Sequence, residues 1–204
     1  AAPTRPAGVG LDGGPMFDEE ACVPGGAFVF GNEDVLLTGA QSTSPERLAL
    51  EPPFRLDRYE VTVARWRSAL AAGFVSPDVT PFSNEGALDP NETVGSSSWC
   101  TYSAEPRGRE TFPLNCVSFV AARAFCQYLG GDLPSEAQWE YAAQAAGRQV
   151  KSPYPWGTPE PTCDRAIYGR LQEGPAADYQ HANQCLLEGA PVGPQPVDAA
   201  SQPG

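Results

Sequence analysis

Apolar and polar positions alternate in two short stretches near the start of the chain. Val23-Pro-Gly-Gly-Ala-Phe-Val-Phe-Gly31 alternates after a Pro-Gly turn and predicts a strand. Phe54-Arg-Leu-Asp-Arg-Tyr-Glu-Val61 alternates again and predicts a second. A polar loop carrying Gly39, Ser42, Ser44 and Pro45 is expected between them. Thr62 is placed to cap a helix over about 63–72, which Gly73 ends. The period then changes. Val117, Val120, Ala121, Ala124, Phe125, Tyr128 and Leu129 recur three and four residues apart, which makes one apolar stripe on a helix. Ser118 is its expected cap, and Gly130-Gly131 stops it. Ser135-Glu-Ala-Gln138 is a capping box for a second helix running to about Ala146.

The rest is patterned for loops. Residues 75–113 hold many Pro, Ser and Asn and read as a long excursion carrying Trp99 and Cys100. Tyr154-Pro-Trp-Gly157 precedes a loop-rich tail with Cys163 and Cys185, and residues 194–204 read as a Pro-rich linker or cleavage region. Residues 1–21 form a flexible or packed extension, in which Asp18-Glu19-Glu20 is expected to be solvated. No stretch carries enough consecutive apolar residues to span a bilayer.

Composition sharpens this picture. The 204 residues carry 13 Lys plus Arg and 25 Asp plus Glu, a net charge of −12. Such a chain lacks the clustered cations that nucleic acid or an anionic membrane requires. Gly (21) and Pro (22) are together nearly twice their usual share, so much of the backbone must be turn and loop. One histidine, His181, lies in the polar stretch Asp178–Gln184 and reads as an ordinary loop residue rather than part of a nucleophile system. Asn91-Glu92-Thr93 matches the N-glycosylation pattern.

Six cysteines without a CxxC pair favour disulfides over zinc or thioredoxin-type chemistry, and hence an oxidising compartment. Cys100 and Cys116 bracket one short loop, and Cys163 and Cys185 another; these are the expected pairs. The start, Ala1-Ala-Pro-Thr4, resembles a mature end left by signal cleavage, so an extracellular or periplasmic location is expected.

Several blocks now stand in a telling order. They are Gly25-Gly-Ala-Phe28, Tyr59-Glu-Val-Thr62, Val117-Ser118, Ala124-Phe-Cys126, Gly131-Asp-Leu-Pro-Ser-Glu-Ala-Gln-Trp-Glu-Tyr-Ala-Ala143 and Tyr154-Pro-Trp-Gly157. The chain resembles the formylglycine-generating enzyme, or sulfatase-modifying factor, family. The resemblance covers about residues 22–193, the first two-thirds of a family domain. It implies an α+β, loop-rich fold related to C-type lectins, incomplete without a C-terminal third.

In family enzymes two cysteines of that last third bind copper(I) and oxidise a substrate-peptide cysteine to formylglycine. Those residues are not in this sequence, so no catalytic residue is carried over. Iron-dependent relatives use histidine clusters that one His cannot supply. Asp132 stands where the family has Arg. Ile167 stands where many members have Asn beside a calcium site, which puts calcium there in doubt. The cysteine at the place of Cys126 pairs in relatives with one in the last third, which leaves Cys126 to Cys22 or to a partner chain. Trp139, Tyr141 and Trp156 are expected as core and turn-locking residues.

The expected function is an exported, disulfide-stabilised scaffold or binding module, completed by a second polypeptide or by self-assembly over an exposed sheet edge. The alternative is the N-terminal chain of a copper-dependent oxidase of peptidyl cysteine.

Overall fold

In a computed structural model of the chain, the described residues are 8, 14–32, 44–88, 99–167, 185 and 193–199. They divide into two compact units. Of the described residues, the first holds Glu20–Leu56 and Pro134–Glu160; the second holds Asp57–Leu133 together with those before Glu20 and after Glu160.

The first unit is built on four strands: β1 (Glu20–Val23), β2 (Gly26–Asn32), β3 (Ser44–Glu51) and β4 (Phe54–Asp57). β1 pairs with β4, and β2 pairs with β3. The β2–β3 pair is antiparallel, with Gly26 opposite Glu51, Phe28 opposite Ala49 and Phe30 opposite Arg47. β3 corrects the expected polar loop, since Ser44 and Pro45 open a strand. Its Ala49 packs on the core, and the exposed Arg47 on the same face sets its guanidinium 5.3 Å from the centre of the Phe30 ring. Its leucines point outward, and Leu48 and Leu50 are about three-quarters exposed. β4 is also shorter than the expected strand. It stops at Asp57, whose carboxylate accepts a hydrogen bond of 2.7 Å from the Arg65 guanidinium.

Helix α3 (Glu136–Glu140) starts with the full capping box. Ser135 Oγ accepts from the Gln138 amide at 3.1 Å, and Gln138 Oε1 accepts from the Ser135 amide at 2.9 Å. The helix then widens into a π-helical turn, Tyr141–Ala145, closed by the Ala146 amide donating to the Tyr141 carbonyl at 2.7 Å. This turn delivers Tyr141 and Ala145 into a core with Val23, Phe28 and Phe30. Gly26 makes room for it, because a Cβ there would lie 2.6 Å from the Tyr141 hydroxyl oxygen. Glu140 fastens the same corner: its Oε1 accepts from the Gly31 amide at 2.9 Å and from Lys151 Nζ at 2.5 Å.

The second unit is centred on α1 (Val63–Ala71) and α2 (Phe119–Tyr128). Thr62 and Ser118 cap them as the sequence predicts, each accepting from the amide three residues on. Gly73 and Gly130, with φ of +97° and +88°, end them where an L side chain would be strained. Trp66, Ala69, Phe74, Ala121 and Phe125 form the core, with the Trp66 ring 5.1 Å from Phe74 and 5.2 Å from Phe125. The stripe on α2 is narrower than expected. Ala121 and Phe125 are buried, but Val120 is 58% exposed, and Cys126 is half-buried beside the stripe rather than on it. Asp18 is a further correction: it is buried and accepts from the Gly8 amide at 2.6 Å, so it is no solvated tail. Near the other end of the chain, the Val197 amide donates to the Thr111 carbonyl at 3.0 Å.

Asp132 turns the expected charge reversal into a local lock. It receives two hydrogen bonds of 2.9 Å from Arg123, and a third of 2.8 Å from the Leu133 amide. Arg123 first, and that amide next, hold its carboxyl down at about 2. A depressed carboxylate stabilises the folded chain above its unfolded value near 3.9, and that contribution is lost as pH falls through about 2. Asp132→Asn should therefore make the acid limb of a pH–stability curve shallower between about pH 4 and 2, followed by thermal melts. Parallel curves for the two proteins in that window would show that the lock carries no folding energy.

Candidate functional site

Within the second unit, one loop system collects side chains whose chemistry is not used up by packing. The segment around Asn84 runs beside that around Tyr102, the Asn84 amide donating to the Tyr102 carbonyl at 2.9 Å. Disulfide Cys100–Cys116 closes the loop that carries Tyr102, and disulfide Cys163–Cys185 closes another. Asn115 braces the first disulfide. It accepts from the Thr101 amide at 2.7 Å and donates to the Trp99 carbonyl at 2.8 Å.

Arg109 sits under this loop, 6% exposed. Its Nη atoms donate to the Cys100 carbonyl at 3.3 Å and the Asn84 carbonyl at 2.6 Å. Its Nε is buried and makes no hydrogen bond. Burial first, and then the positive charge of Arg107, lower the Arg109 pKa from its ordinary value. Arg107 is half-exposed and donates from Nε to Glu85 Oε2 at 3.3 Å. Glu85 is held ionised by the Ala104 amide at 2.7 Å, then by the Ser83 hydroxyl and Arg107. Arg107, Arg109, Gly86, Ala87 and Leu88 line an open cleft of about 380 Å³. Arginine stays protonated at any working pH, so the cleft offers fixed positive charge and donors rather than a proton acceptor.

The sequence analysis did not single out Arg107 or Arg109. The available signal was Arg107-Gly108-Arg109, two cations in a chain with 13, across a glycine with φ of +74°. The other marked residues scatter. Tyr141 is core, and Trp156 stacks on Tyr154 at 5.4 Å in a closed Tyr154–Gly157 turn. Trp139 is not core: it is 63% exposed, because α3 turns that face outward. Cys22 is an exposed free thiol and Cys126 a half-buried one. His181 and the Asn91 sequon lie outside the described residues.

The family model of the sulfatase-modifying factor enzyme 1-like domain matches residues 12–197. The chain belongs to this family. It is 31% identical over 169 residues to hercynine oxygenase of Mycolicibacterium smegmatis, covering 76% of this chain and 38% of that protein. It is 29% identical to the formylglycine-generating enzyme of Thermomonospora curvata, covering 66% of this chain and 51% of the relative. It is 28% identical to the inactive C-alpha-formylglycine-generating enzyme 2 of Bos taurus, covering 76% and 58%. This sulfatase-modifying-factor chain thus spans between 38% and 58% of those relatives' lengths. Among solved structures, PvdO from Pseudomonas aeruginosa shares the fold, with a TM-score of 0.50 at 20% identity, covering 89% of this chain and 65% of that one.

A copper(I) ion held by two thiolates does not fit the cysteines described. Four are closed in disulfides, and burial pushes the Cys126 thiol up, away from the thiolate that a soft ion takes. Among the described residues no three of His, Cys, Asp and Glu gather to hold a metal. Ile167 is 40% exposed and offers only its backbone oxygen, so the described residues there do not fit calcium; Tyr168 lies outside them.

Proposed function

We propose that this chain is an exported, disulfide-stabilised scaffold and binding module of the sulfatase-modifying-factor fold, related to C-type lectins and completed by a second polypeptide or by self-assembly. One observation carries the reading. Arg109 holds the carbonyl of Cys100, in the ring closed by Cys100–Cys116, and that of Asn84 outside it, and it lines an open cleft beside Arg107. That is pre-organised recognition: a braced loop and fixed charge. Two disulfides support export, since such bonds persist in oxidising compartments; no described helix is long and apolar enough to cross a membrane.

The likeness to a protein named formylglycine-generating enzyme supports a second reading, the one the family resemblance implies, in which the whole protein is a copper-dependent oxidase of peptidyl cysteine. Intact mass of the native material, non-reduced and then reduced, tests the first reading. A second polypeptide released on reduction, or retained non-covalently in native conditions, is the expected result. A lone monomer with no copper-dependent oxygen consumption on a cysteine peptide leaves a self-contained binding module. Turnover of that peptide overturns the binding-module reading in favour of the oxidase.

A further inference from the structure

We propose that the Arg107–Arg109 cleft binds a carboxylate. The inference deepens the binding-module reading by naming what the cleft takes, and it survives if the whole protein proves to be an oxidase.

The donors left over define the ligand. Arg109 has both Nη atoms on carbonyls and one buried Nε without a partner, while being one of the residues that line the cleft. A buried donor left unbonded is unfavourable, and a negative charge seated in the cleft stabilises the guanidinium that carries it. Arg107 uses only Nε, on Glu85, so its Nη pair is unoccupied. The described lining carries two cations and no carboxylate, with Glu85 beside it, in a chain of net charge −12. An anion also offsets the repulsion between the two guanidiniums, which is part of what lowers the Arg109 pKa.

The anion's class follows from the remaining wall. A phosphate site is built from a nest of free backbone amides. Here the Gly86 amide already donates to Asn84 Oδ1 at 2.9 Å, and the nearby Ala104 amide donates to Glu85. Among the described residues the cleft presents the planar Arg107 guanidinium fork, whose geometry matches a carboxylate, beside Ala87 and Leu88, which suit the methylene next to it. Arg107 already holds one carboxylate, that of Glu85, in the same neighbourhood. An incoming carboxylate meets Glu85 as its competitor.

Calorimetric titration of the full chain tests this with three probes: glutarate, a blocked Gly-Glu-Gly peptide and inorganic phosphate. Glutarate or the peptide is expected to bind one to one, more weakly as chloride is raised. The stronger of the two identifies a free acid or a peptide side chain as the source. Arg107→Gln, at a half-exposed position, should weaken binding about tenfold, the effect of one charged hydrogen bond. Glu85→Gln should tighten it about threefold by removing the internal competitor. Phosphate binding without carboxylate binding overturns the assignment. So does the absence of saturation by either carboxylate at about 10 mM, or an Arg107→Gln variant that binds like the parent.

Discussion

Phe125→Ala is expected to cost the chain about 3–5 kcal/mol, read as a lowered denaturant midpoint in equilibrium unfolding. Phe125 is 2% exposed and lies between Trp66, at 5.2 Å, and Phe74, at 5.8 Å. Truncation removes the transfer energy of a full aromatic ring and leaves a cavity. Its walls, two rigid aromatic rings and the backbone of α1, cannot readily collapse into it. Domains of this size hold about 5–15 kcal/mol in all, so a large fraction of folding energy rides on one side chain. Phe119, two turns earlier on the same helix, is the control. It is 68% exposed, and its truncation should stay within about 0.5 kcal/mol. Equal losses at the two positions would contradict the packing described for α2.

Replacing Cys100 and Cys116 together by alanine should remove about 3 kcal/mol, the closure entropy of a loop of this length. The sequence separation is 16, against 22 for Cys163–Cys185, so entropy alone makes the two bridges nearly equivalent. The binding consequences should differ. The Cys100 carbonyl is one of the two that Arg109 holds, so freeing that loop releases the guanidinium from its place under the cleft. The 100/116 double variant is expected to lose the heat of glutarate binding, and the 163/185 variant to keep it while melting earlier. Thermal melts with the calorimetric titration separate the two effects. An unchanged melting midpoint in the 100/116 variant would mean that the braces from Asn115 and Arg109 already fix the loop without the bond.

Local signals explain which parts of the fold could be read in advance. Thr62, Ser118 and the Ser135–Gln138 box act on amides within three residues, so the sequence window contains the whole interaction. The glycines at 73 and 130 work equally locally. β3 was hidden because its pattern is inverted: the small residue Ala49 packs on the core while the leucines face out. Only its pairing with Phe28 and Phe30 makes that sensible. The π-helical turn was likewise hidden, since its period depends on how Tyr141 meets Gly26.

The cleft was the least legible feature. A buried arginine inside a run of Pro, Ser and Gly has no periodicity to announce it. Its partners are carbonyls 9 and 25 residues away, and a carbonyl carries no sequence identity. The free thiols show the reverse. Their residue type invited a pairing, and burial of Cys126 without a bond was visible only in three dimensions.

The first unit has a consequence for how the chain must be made. Glu140 and Lys151 reach back 109 and 120 residues to the amide and carbonyl of Gly31. Emerging from the ribosome in order, the β1–β4 region appears first and lacks Tyr141 and Ala145, the other half of its core, until more than 80 further residues have been synthesised. At about 5–20 residues per second that wait lasts several seconds, much longer than a hairpin takes to form. Until then the inner faces of Phe28 and Phe30, which Tyr141 and Ala145 cover in the folded chain, lack that cover.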